Sequence, residues 1–89
     1  MSPPPAWQIS WTPAAIDDLA DLDDTAGLRI RAAVQRLAET REGDVKKLKG
    51  MGDRWRLRIG DWRVLFRFAR DPQTLIVLRV VNRREAYRD

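Results

Sequence analysis

Between Arg54 and Ala69 the chain alternates apolar and basic side chains around a single dipeptide, Gly60-Asp61. Alternation with period two is the signature of a strand with one buried face, and a glycine-first dipeptide between two such runs predicts a two-residue type II′ hairpin. The register then follows. Ile59 faces Trp62, Leu57 faces Val64 and Trp55 faces Phe66, so six large apolar side chains share one face. The opposite face receives Arg58 across from Arg63, Arg56 across from Leu65, and Arg54 across from Arg67. Like charges directly opposite each other destabilise a sheet by about 0.2–1 kcal/mol per pair. Two such pairs in one hairpin are unexplained by folding alone, and a bound polyanion would relieve them.

The rest of the sequence supplies partners for that hairpin. Thr74 to Asn82 reads as a further strand, after a turn at Arg70-Asp71-Pro72-Gln73. Simple alternation puts Ile76, Leu78 and Val80 on the core face and Val77, Arg79, Val81 and Arg83 on the arginine face. Ala6 to Trp11 alternates as well, with Trp7, Ile9 and Trp11 together, and residues 1–5 form a loose proline-rich lead-in. Thr12-Pro13 predicts a helix start, hydroxyl cap followed by proline at the first helical position. Asp21 to Asp24 interrupts the helix, with Asp24 or Thr25 capping a second one marked by Leu28, Ile30, Val34, Leu37 and Ala38 and ending before Gly43. Asp44 to Asp53 reads as a basic connection. The expected architecture is a single α+β domain over residues 1–89, ordered β-α-α-β-β-β, with a helical hairpin on one face of a four-stranded, mostly antiparallel sheet.

Composition narrows the chemistry. The chain has no cysteine and no histidine, which excludes disulfides, thiolate metal sites and the usual neutral-pH general base. No apolar run approaches the roughly 18 residues of a membrane span, and the N-terminus lacks a secretory pattern, so a cytoplasmic location without membrane association is expected. Charge is divided along the chain: residues 1–45 carry four Lys/Arg against eight Asp/Glu, whereas residues 46–89 carry thirteen against five. A basic half this dense is the footprint of a nucleic-acid binder.

Three segments then resemble one known family. Lys47-Leu48-Lys49-Gly50, Trp55 through Phe66, and Val80 through Arg88, in that order after a helical hairpin, are similar to the pattern of the RelE/ParE toxin superfamily, and to its RelE-like members in particular. The resemblance implies a toxin of a type II toxin–antitoxin pair, held inactive by a cognate antitoxin and acting on mRNA in the ribosomal A site. It implies cleavage by the RNA's own 2′-hydroxyl, with no metal and no cofactor. By position, Arg56, Arg58, Arg63, Arg83 and Tyr87 match the family's catalytic residues. Arg63 and Arg83 would hold the scissile phosphate, and Tyr87 would stack on or orient a base. Lys46, Lys47, Lys49, Arg54, Arg67, Arg79 and Asn82 are the further candidate RNA contacts. Two positions depart from the family. Arginine stands at Arg56 and Arg58 where lysine is common, and Asn82 stands where many relatives have histidine. Arginine is always protonated, so no general base is assigned; Lys47, Lys49 and Asp53 are the titratable groups nearby. A ParE-like toxin acting on DNA gyrase and a non-catalytic nucleic-acid-binding module are the alternative readings.

Overall fold

The computed structural model describes residues 5–82. Its elements run β1 (Gln8–Trp11), α1 (Pro13–Ala20), α2 (Asp24–Thr40), β2 (Asp44–Lys47), β3 (Arg54–Ile59), β4 (Trp62–Ala69) and β5 (Thr74–Asn82). The five strands form one sheet in the order β1-β5-β4-β3-β2. β1 lies parallel to β5 and the other pairs are antiparallel.

The class is the expected α+β, with both helices on one sheet face, but the sheet has five strands instead of four. The extra strand is β2, in a stretch read as connection. Its register, Val45 across from Leu57 and Lys46 across from Arg56, continues the two faces of the hairpin to the sheet edge. A four-residue strand with a single apolar side chain offers little periodicity, so its backbone pairing, not its composition, defines it.

The β3–β4 hairpin has the register expected from its sequence, from Ile59 across Trp62 to Arg54 across Arg67. Gly60 takes φ 58° while Asp61 stays at negative φ, as a type II′ turn requires. β5 departs from simple alternation. A bulge at Leu78 lets Phe66 pair with Val77 while Leu65 pairs with Arg79. One extra residue reverses the phase of everything before it. Leu75 and Val77 therefore join the core beside Val80, whereas Ile76 lies across from Arg67 on the arginine face. The expected core positions for Ile76 and Leu78, and the outward position for Val77, are corrected accordingly.

The core is closed by Ala15 and Leu19 of α1 and Ile30, Val34 and Leu37 of α2, packed on Leu57, Val64, Phe66, Leu75, Val77 and Val80. Thr12 caps α1, accepting from the Ala15 N–H at 3.2 Å, and its hydroxyl also donates to the Leu78 carbonyl at 2.9 Å. α2 is capped by Asp23, not by Asp24 or Thr25: its carboxylate accepts from the Ala26 N–H at 2.7 Å. At the far end Arg41 takes a left-handed φ of 64°, and its guanidinium sits 4.8 Å from the centre of the Trp7 ring. No helix is long and apolar enough to cross a membrane.

Candidate nucleic-acid interface

The pleat that sends Trp55, Leu57, Ile59, Trp62, Val64 and Phe66 into the core sends Arg54, Arg56, Arg58, Arg63 and Arg67 to the other side of the sheet. β2 adds Lys46 and Asp44 to the same side, across from Arg56 and Arg58. β5 adds Arg79 across from Leu65 and Val81 across from Arg63.

These cations are not equivalent. Arg63 is only 3 % exposed, and its Nη1 donates to the carbonyls of Gly60 at 3.1 Å and Trp62 at 3.0 Å, which braces the β3–β4 turn. Val81 beside it is 8 % exposed, so this part of the arginine face is covered. Arg56 is half-buried and held by Asp44, through the backbone carbonyl at 3.1 Å and the carboxylate at 3.4 Å. Arg54 and Arg58 are exposed and Arg67 half-buried; among the described residues none of the three has a carboxylate within ion-pair distance.

Arg79 is drawn to the edge of β5. β1 pairs with β5 only from Thr74 to Val77, and beyond it α1 takes over the edge. The Asp18 carboxylate there accepts from the Val80 N–H at 2.8 Å and from Arg79 through Nε at 2.8 Å and Nη2 at 3.0 Å. Burial by itself would raise the Asp18 pKa. The Arg79 side-chain hydrogen bonds, the Val80 N–H and the Arg79 charge outweigh that and hold the carboxyl below the usual aspartate value.

The lysines divide. Lys46 lies on the arginine face and Lys49 in the turn after β2, but Lys47 pairs with Trp55 on the helix side, its Nζ 5.9 Å from that ring's centre. Asn82 lies across from Trp62, in the row that faces the helices. Arg83 and Tyr87 lie outside the described residues. The structure thus gathers Lys46, Arg54, Arg56, Arg58, Arg63 and Arg67 on one face and separates Lys47 and Asn82 from them.

Two residues absent from the sequence-based set prove relevant. Asp18 engages Arg79 across 61 positions of sequence, which no local pattern signals. Arg29 reaches from α2 to the β3–β4 turn, where a Cβ on Gly60 would lie 3.4 Å from its Nη2. Its signal was present: Arg29, Ala33 and Arg36 fall at i, i+4 and i+7, one face of a helix.

The fold recurs in solved toxin structures. The RelE–RelB complex from Pyrococcus horikoshii is 25 % identical, covering 89 % of this chain and 97 % of that chain with a TM-score of 0.72. The RelBE2 toxin–antitoxin complex from Mycobacterium tuberculosis is 29 % identical, covering 89 % and 100 % respectively with a TM-score of 0.64. A mutant E. coli RelE in the free state is 18 % identical, covering 93 % and 88 % with a TM-score of 0.75, a likeness of fold. No curated protein matches the chain in sequence. The model of the ParE toxin of the type II toxin–antitoxin system parDE matches residues 9–87. With that match over most of its length and the RelE fold around its arginine face, the chain belongs to the ParE toxin family, within the RelE/ParE superfamily of type II toxin–antitoxin systems.

Proposed function

We propose that this toxin is an endoribonuclease that cleaves mRNA in the ribosomal A site and is silenced by a cognate antitoxin. The observation that carries the reading is the arginine face itself. Arg54, Arg58 and Arg67 meet no carboxylate of the described chain, and two of the cross-strand pairs, Arg58 with Arg63 and Arg54 with Arg67, are cation against cation. Guanidinium groups fork onto phosphate oxygens and stack on bases, so RNA both relieves the repulsion and is gripped by it.

In the proposed reaction the 2′-oxygen attacks the adjacent phosphorus in line and the 5′-oxygen departs, leaving a 2′,3′-cyclic phosphate and a 5′-hydroxyl. The attacking hydroxyl must lose a proton and the departing oxygen gain one. Arginines stabilise the charge that builds on the phosphate, but they stay protonated and accept no proton. Lys47 sits over Trp55 on the other side of the sheet, so of the titratable groups named from the sequence Lys49 and Asp53 remain, beside Lys46 on the face itself. Arg83 and Tyr87 retain the phosphate-holding and base-orienting roles that the resemblance implies. The cognate antitoxin would lay acidic side chains over the same arginines, as expected of a partner that blocks an RNA site by charge.

A second reading, inhibition of DNA gyrase, draws on the ParE description of the matching family and on a chain without histidine. Primer extension on ribosome-bound message, run beside a gyrase supercoiling assay, separates the two. Expected are breaks in the message with wild type and a loss of about 100-fold or more in Arg83→Ala, in line with removal of one charge-stabilising donor. Intact message together with blocked supercoiling would overturn the ribonuclease reading.

A further inference from the structure

The arginine face does not end at the edge of the sheet. β2 stops at Asp44, across from Arg58, so the last residues of β3 and the Gly60 turn stand open toward α2. A groove of about 440 Å³ lies there, between Arg29, Ala33 and Arg36 of α2 and Arg58, Ile59 and Gly60. Its two carboxylates are already engaged. Glu42 takes Arg36 at 2.6 Å and Asp44 takes Arg56 at 3.4 Å. Arg29 and Arg58 are both exposed, and among the described residues neither has an ion-pair partner. The Arg29 guanidinium lies over the Gly60 turn, its Nη2 3.4 Å from where a Cβ on Gly60 would sit.

We propose that this groove is a phosphodiester subsite, in which Arg29 and Arg58 grip one backbone phosphate of an RNA strand as it leaves the arginine face and turns over the sheet edge toward α2. Arg58 belongs to both surfaces, which makes the path continuous. Two guanidiniums from different elements flank a diester and supply forked donors to its two free oxygens. Ala33 and Ile59 offer the neighbouring ribose a small apolar seat. The inference rests on the RNA reading above and extends it from the sheet to the helix.

α2 carries its own control. Arg31 is exposed, on the same helix and of the same charge, but lines a separate cleft with Leu22 and Leu28. The test is fluorescence anisotropy of a labelled short single-stranded RNA against the full chain over a series of salt concentrations. Arg29→Ala should weaken binding by about 3- to 10-fold and flatten the slope of log K against log salt by about 0.7, the value of one single-strand phosphate contact. Arg29→Lys should keep the slope, and Arg31→Ala should match wild type. Identical slopes for Arg29→Ala and Arg31→Ala would overturn the subsite, and with wild-type message cleavage intact they leave the ribonuclease reading standing. If Arg29→Ala instead loses affinity for an oligoglutamate probe while its RNA slope is unchanged, the groove serves an acidic protein and the proposal fails. A flattened slope in Arg29→Ala without message cleavage by wild type would keep the groove and sink the cleavage reading; RNA binding that ignores salt in wild type would sink both.

Discussion

Asp18 performs two tasks with one carboxylate. It satisfies the Val80 N–H where β1 no longer reaches, and it fixes the Arg79 guanidinium against the flank of α1. Its acid form accepts these bonds poorly, so its depressed pKa is also a statement about stability. A carboxyl whose folded pKa lies below the unfolded value of about 3.9 stabilises the fold above that pH, and the contribution fades as pH falls through the folded pKa. Asp18→Asn should therefore cost about 1–2 kcal/mol at neutral pH, the range of hydrogen bonds to a charged group reduced for the exposure of Arg79. The gap to wild type should shrink below about pH 4. Denaturant titrations at several pH values check this; a constant gap down to pH 2 would refute it. At this scale the sequence was legible where neighbours in the chain decide the outcome, as at Thr12 and Gly60. It was silent on which arginines are engaged, because Asp18 meets Arg79 and Asp44 meets Arg56 only after the sheet has formed.

Among the elements, β5 carries most of the consequence. Its nine residues serve two alternations joined by the bulge, so that Leu75 and Val77 before it and Val80 after it all face the helices. The Leu78 carbonyl at the joint is taken by the Thr12 hydroxyl, so the helix start and the bulge support each other. Deleting Leu78 would remove the bulge and join the two alternations in one phase, with Leu75, Val77 and Val80 all still facing the helices; what is lost is the Thr12 hydrogen bond at the joint. The loss should stay near that of one hydrogen bond, about 0.5–1.5 kcal/mol. Thermal unfolding followed by circular dichroism should show a Tm lower by about 2–12 °C, at about 4–8 °C per kcal/mol. A Tm lower by about 20 °C or more would mean that core side chains had turned outward and that Leu78 is not the extra residue. Both helices, the hairpin and the bounds of β3, β4 and β5 were readable from periodicity and turn chemistry. The bulge was not, because Leu75, Ile76, Val77 and Leu78 are apolar in succession and either phase satisfies the pattern. β2 escaped notice because its pairing with β3, not its own sequence, makes it a strand.

For the molecule as a whole, charge and packing pull apart. The two helices with their connections, residues 13–42, bring seven of the chain's thirteen Asp and Glu residues, and the sheet presents its guanidiniums on the side away from the helices. Repulsion within that face weakens the native state, and salt screens it. Raising ionic strength from low salt to about 0.5 M should therefore raise the Tm by about 2–5 °C, and on the proposed RNA reading the same salt should weaken RNA binding. Melts and binding titrations over one salt series check the pair; a Tm that falls with salt would show that the ion pairs of Asp18 and Glu42 outweigh the arginine face. Class, helix placement and the arginine side of the sheet were legible at this scale because they follow from patterning. The groove at Arg29 was not, since it depends on how far β2 extends.

β5 lies between β1 and β4, yet it is made after both. During synthesis the first strand waits for a neighbour encoded more than sixty residues downstream, its partners beginning at Thr74. Contacts of such long range make for slow assembly, and no shorter segment can rehearse them. The β3–β4 hairpin is made before the strand that joins it to β1, so the arginine face is finished only when β5 is in place. A toxin built in this order is whole only once that late strand is seated between its neighbours.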